Sequence, residues 1–69
     1  MFRQKLYKVN VELVSIETGK HKVLTFHSTA RFKWRAIHDV TSYLKTFNIE
    51  LRTKRAVIHR AHVSGEVEG

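Results

Sequence analysis

The segment His27-Ser28-Thr29-Ala30-Arg31-Phe32-Lys33-Trp34-Arg35 sets three cations at alternate positions and interleaves them with two aromatic rings, behind a pair of hydroxyls. Arginine and lysine neutralise a phosphate or carboxylate, and the free N–H groups at a helix start donate to it. Aromatic rings stack on bases or anchor a protein contact. The charge bias extends beyond this segment. Residues 18–37 carry Lys20, Lys22, Arg31, Lys33 and Arg35, with no acid between Glu17 and Asp39. If a helix begins here, its macrodipole already disfavours these cations. The expectation is a standing positive potential for an anionic partner, either nucleic acid or an acidic protein surface. The candidate contacts here are Lys20, Lys22, Thr29, Arg31, Lys33, Trp34 and Arg35. The competing structural account makes Phe32 and Trp34 core-edge rings and the cations a solvated helix face.

A second basic group is Arg52, Lys54, Arg55 and Arg60, with His59 and His62 nearby in sequence. It joins the first into one surface only if the fold brings its loop beside Lys20 and Lys22. The alternative is an edge kept soluble by charge.

Other chemistries find little support. Among the five histidines, His59 and His62 are three apart on an expected strand and should face opposite ways, and His21, His27 and His38 lack a helical i, i+4 partner, so no metal site is expected. Histidines that protonate near pH 6.5 would instead strengthen anion binding in mild acid. Glu12, Glu17, Asp39 and Glu50 are scattered, and His38 and Asp39 diverge by about 100° on a helix, which argues against acid–base catalysis. There is no glycine-rich phosphate loop. No catalytic residue and no cofactor are expected.

Composition agrees with a binding role. Sixty-nine residues form one small domain, with 13 Lys and Arg against 6 Asp and Glu, a formal charge of +7. Such a chain buries roughly 60% of its unfolded surface, too little for a deep substrate cavity. The absence of cysteine excludes a disulfide framework. No apolar run approaches the ~18–20 residues of a membrane span, and residues 1–10 lack the apolar centre of a signal peptide, so the expectation is a cytoplasmic protein without a membrane role.

The elements that must position these residues follow from periodicity. Tyr7, Val9, Val11 and Leu13 alternate with Lys8, Asn10 and Glu12, the pattern of a half-buried strand, and the change of phase at Val14 and Ile16 implies a bulge near Leu13–Val14 or burial on both faces at the strand end. Glu17-Thr18-Gly19 closes a hairpin onto a strand over residues 21–27. Ser28 or Thr29 is the expected cap of a helix over residues 30–46, burying Ala30, Trp34, Ala36, Ile37, Val40, Tyr43, Leu44 and Phe47. Asn48 is expected to end it in the left-handed region, and Ile49-Glu50-Leu51 to open a strand. Residues 56–63 form the last principal strand, with Val57, His59, Ala61 and Val63 on one face. The whole is an α+β fold, ββαβ, whose three-stranded antiparallel sheet has order 2-1-3 with one helix packed on one face. The domain spans residues 1–63, and residues 64–69 are a flexible acidic tail.

This ββαβ order over residues 7–63, with Arg52, Arg55 and Arg60 on and before the last strand, resembles the small bacteriophage proteins that bind and inhibit host RNA polymerase. The resemblance is architectural and implies an adaptor or inhibitor that docks these arginines in an acidic groove of a larger protein. The basic helix departs from that pattern and favours backbone-driven nucleic-acid binding, to DNA or RNA, with weak sequence specificity. Self-association as a homodimer, through the open sheet face or the edge of the last strand, is a third expectation.

Overall fold

The computed structural model describes residues 3–67. Its elements are β1 (Lys5–Ser15), β2 (His21–Ala30), α1 (Lys33–Phe47), a single helical turn α2 (Ile49–Arg52) and β3 (Ala56–Val67). The strands form one antiparallel sheet in the order β2-β1-β3, and α1 lies across one face of it, as the alternation of β1 requires.

Tyr7, Val9, Val11 and Leu13 are buried beneath the helix, with Val9 and Val11 fully enclosed. Ala36, Val40 and Leu44 meet them from α1 at i, i+4, i+8 spacing, and Leu24, Phe26, Ile37, Leu51, Ile58, Ala61 and Val63 close the sides. Three strands spaced about 4.8 Å apart make a sheet only about 10 Å across, no wider than the helix itself. One row of helix side chains is therefore covered. Trp34, Tyr43 and Phe47, expected in the core, are left outside at 64%, 54% and 68% exposure.

The hairpin closes as its sequence requires. Ser15 N–H donates to the Lys20 carbonyl (2.9 Å), Gly19 N–H donates to the Ser15 carbonyl (2.8 Å), and Gly19 sits at φ 70°. Beyond it β2 continues three residues further than residue 27. Ser28, Thr29 and Ala30 pair with Tyr7, Leu6 and Lys5, and Ala30 is buried. Ladder pairing thus outcompetes the capping tendency of Ser28 and Thr29. Phe32 takes the cap position in extended conformation, with no side-chain cap bond.

Two further expectations are corrected beyond α1. Asn48 is extended (φ −79°, ψ 119°) rather than left-handed, and its Oδ1 accepts from Leu51 N–H at 3.1 Å. That cap turns residues 49–52 into α2 instead of a strand and aims Leu51 at the core. Lys54 takes the left-handed conformation instead (φ 61°).

In β3 the partners step from Leu13↔Ile58 to Glu12↔Arg60, and from Val9↔Val63 to Lys8↔Gly65. His59 and Ser64 are therefore extra residues opposite a regular β1. The bulge expected in β1 lies across from it, in β3. Each extra residue reverses the phase of alternation. Ala56 and Ile58, then Ala61 and Val63, face the helix, and His59 does not share the face of Ala61 and Val63 as expected. Residues 64–67, expected in a flexible tail, continue the ladder to Leu6↔Val67, and Lys5 Nζ lies 3.5 Å from Glu66 Oε1. The rest of that tail, residues 68 and 69, lies outside the described residues.

Candidate functional site

Thr29, Arg31, Trp34 and Arg35 gather with Gln4, Ala30, Phe32 and Asp39 around an open depression of about 380 Å³ where β2 hands over to α1. The late helix start creates it. Because β2 runs to Ala30, only Arg31 and Phe32 are left to turn the chain, and the first helical turn stands clear of the sheet's end. Phe32 and Trp34 stack with centroids 6.2 Å apart and planes 7° from parallel. That stack, with Trp34 largely exposed and Phe32 close to half exposed, is a flat apolar surface between cations rather than a core edge.

The electrostatics here are unbalanced. The first turn of α1 holds no acid, and Lys33 occupies its first position. Arg35 Nε lies 3.3 Å from Asp39 Oδ1, so one cation of the three is already matched. Arg31 and Lys33 make no ion pair among the described residues. Asp39, which the sequence did not single out as part of this site, also has His38 Nδ1 at 3.7 Å. The two side chains thus approach more closely than helical divergence led one to expect, although the separation is too long for a hydrogen bond.

The second basic group lies at the other end of the sheet. Ile16 N–H donates to the Arg55 carbonyl (2.8 Å) while neighbouring Ser15 N–H donates to that of Lys20, so the α2–β3 loop does sit beside the hairpin. Lys20, Arg52, Lys54 and Arg55 share this end. Lys22, opposite Leu13, stands on the helix side of the sheet here. From Lys5 to Ser15 the strand spans about 34 Å, and the molecule is 46 Å long. The helix-start cations and those leading into β3 therefore do not form one surface. The condition read from the sequence, a loop beside Lys20, is met, yet the helix-start cations stay apart from that group. Arg60 belongs to neither end, lying mid-sheet opposite Glu12 on the face away from the helix.

Between α1, α2 and β3 runs an open groove of about 610 Å³, lined by Ile16, Leu51, Val57 and Ile58 and edged by Lys45 and Lys54. It depends on α2 standing where the sequence leads one to expect a strand, so periodicity alone does not reveal it.

Among the described residues no three His, Asp or Glu side chains are placed to hold a metal ion, and no helix is long and apolar enough to cross a membrane. No family model, curated protein or solved structure matches the chain. Function must be read from the residues themselves.

Proposed function

We propose that this protein is a small non-enzymatic module that binds nucleic acid, holding the phosphate backbone at the start of α1 with weak sequence specificity. The observation that carries the reading is the exposed Trp34, stacked on Phe32 and bracketed by Arg31, Lys33 and Arg35 around an open depression at a helix end without a side-chain cap. A ring kept only for packing would be covered, and cations kept only for solubility would avoid the positive end of a helix. Together they match what a nucleotide presents, a π-face beside a phosphate.

Trp34 is the sole tryptophan, so its fluorescence reports directly on the site. Titration with oligothymidylate should quench it at low salt, and added salt should reverse the quenching as counterions return to the strand. Replacing Arg31 and Lys33 together by glutamine should flatten the log–log salt dependence by about 1.4, at about 0.7 per single-strand phosphate. W34A, followed by anisotropy of a labelled strand, should cost about 1–3 kcal/mol, the usual worth of one stacked base. No binding to single-stranded or duplex oligonucleotide at low ionic strength would refute the reading.

The lysine-edged apolar groove favours a second reading, an adaptor or inhibitor that docks on an acidic patch of a larger protein such as RNA polymerase. Partners that survive nuclease treatment of a lysate and are lost in I16E support it. Partners that nuclease releases speak against it.

A further inference from the structure

The face of the sheet turned away from α1 is not covered by any other element of the described fold, and its composition is lopsided. Pairing places Thr29, Leu6 and Val67 in one row across the three strands, then His27, Lys8 and Gly65, then Thr25, Asn10 and His62, then Val23, Glu12 and Arg60, and last His21, Val14 and Val57. His59, which follows helix-facing Ile58, turns its ring to the same face, where its centroid lies 5.6 Å from that of His21, and the bulge keeps Arg60 and then His62 there too. Four of the five histidines thus share one surface with Lys8 and Arg60. The bulge is what unites them, since strict alternation would have sent His59 and His62 to opposite sides.

An open antiparallel face needs only to be polar, and threonines with balanced charges satisfy that. Among the described residues this one holds a single carboxylate, Glu12, whose Oε2 lies 3.4 Å from His21 Nδ1 and which also faces Arg60 across the sheet. The other imidazoles of the face meet no acid among the described residues. His27 is opposite Lys8, His62 is opposite Asn10, and His59 meets His21. With the rings neutral the face carries one net positive charge, and with all four protonated it carries five.

We propose that this face is a second contact surface for the phosphate backbone of nucleic acid, engaged as the solution becomes mildly acid. The inference rests on the nucleic-acid reading of the helix start but uses different residues. Histidine is the side chain whose ordinary protonation falls between pH 5 and 8. No Phe, Tyr or Trp lies in the five rows, so the face offers charge and hydrogen-bond donors to phosphate rather than a stacking platform for bases. Thr29 stands in the row at the helix-start end and also lines the depression there, so a strand held by Trp34 can pass onto the sheet without a break.

The test is the salt dependence of oligothymidylate binding at about pH 8 and about pH 6. Wild type should show a slope steeper by about 2 at the lower pH, as three or so added phosphate contacts release counterions. Replacing His27, His59 and His62 together by glutamine should leave binding at the higher pH unchanged and abolish the steepening. H38Q, on the helix, should keep it. The glutamine double variant of Arg31 and Lys33 should bind more weakly at both values yet still steepen. Circular dichroism and Trp34 emission confirm that each variant is folded. Steepening that persists in the triple variant, disappears in H38Q, or is absent from wild type overturns the inference. Absence of binding at both pH values overturns the nucleic-acid reading with it, whereas binding through Arg31 and Lys33 without steepening overturns this inference alone.

Discussion

Lys33→Glu should move stability and binding in opposite directions, and the sizes of both effects follow from where Lys33 sits. It is the first residue of α1, exposed, behind a cap residue with no side-chain cap bond and in a first turn without an acid. A favourable charge in the first turn of an exposed helix contributes about 0.3–1 kcal/mol, and an unfavourable one costs a similar amount. Exchanging one for the other, with solvent screening, should stabilise the fold by about 1 kcal/mol. For a domain this small that raises Tm by about 4–8 °C. On the proposed reading, the same exchange removes one phosphate contact, and it sets a negative charge beside Arg31 and Trp34. The salt slope for single-stranded nucleic acid should fall by about 0.7 and affinity should drop for every sequence alike. K33A separates the parts, since it loses the contact but gains only the relief of the cation. Thermal melts by circular dichroism and anisotropy titrations supply the two readings. A K33E protein that is less stable than wild type, or that binds as tightly, would refute the claim that the first turn gives up stability for anion recognition.

Asp39→Asn frees Arg35 from its carboxylate, so binding should tighten severalfold while stability changes by no more than about 0.5 kcal/mol, the usual worth of an exposed i, i+4 pair; weaker binding would show that Arg35 is not a contact. Leu44→Ala removes one of the three buried side chains of α1 and should cost about 2–5 kcal/mol in urea unfolding, enough to unfold much of so small a domain. Gly19→Ala should destabilise by about 1 kcal/mol through backbone strain alone, because φ is +70° and an added Cβ meets nothing within 4 Å. Gly65→Ala, in equally open space without that φ, should stay within about 0.5 kcal/mol, and equal losses at both glycines would contradict the account.

What could be read from the chain was what repeats. The alternation of Tyr7 to Leu13, the Glu17-Thr18-Gly19 turn and the apolar stripe of α1 specify the strands, the hairpin, the helix and the 2-1-3 order. Where two local preferences competed, the sequence alone did not decide. Ser28 and Thr29 are good caps and good strand residues, and pairing with Leu6 and Tyr7 chose the strand. Asn48 both ends helices and begins them, and here it does both without the left-handed turn: its N–H donates to the Leu44 carbonyl and its side chain accepts from Leu51 N–H. The bulges at His59 and Ser64 leave no mark in composition, so the face of each β3 side chain was out of reach beyond Ile58. The helical angles of Trp34, Tyr43 and Phe47 fit the buried stripe. A three-stranded sheet has no room for them, a limit of width rather than of periodicity. For the site, the cations and rings at the helix start were legible as residue types. Asp39 was not, because its role depends on where Arg35 reaches, and Lys8 and His27 emerge only once the strands are paired.

The separation of the two basic ends changes what the charge of +7 means. At physiological ionic strength the screening length is about 8 Å, so cations at opposite ends of a strand of about 34 Å do not feel one another through solvent. Their mutual repulsion therefore costs the fold little, and their attractions for a ligand do not add at a single point. A small anion at Arg31 and Lys33 gains nothing from Lys20, Lys54 or Arg55. A long polyanion laid along the open face of the sheet can meet both ends, passing Lys8 and Arg60 between them. The distribution thus suits a chain of charges more than a compact one, a distinction that total charge alone does not make.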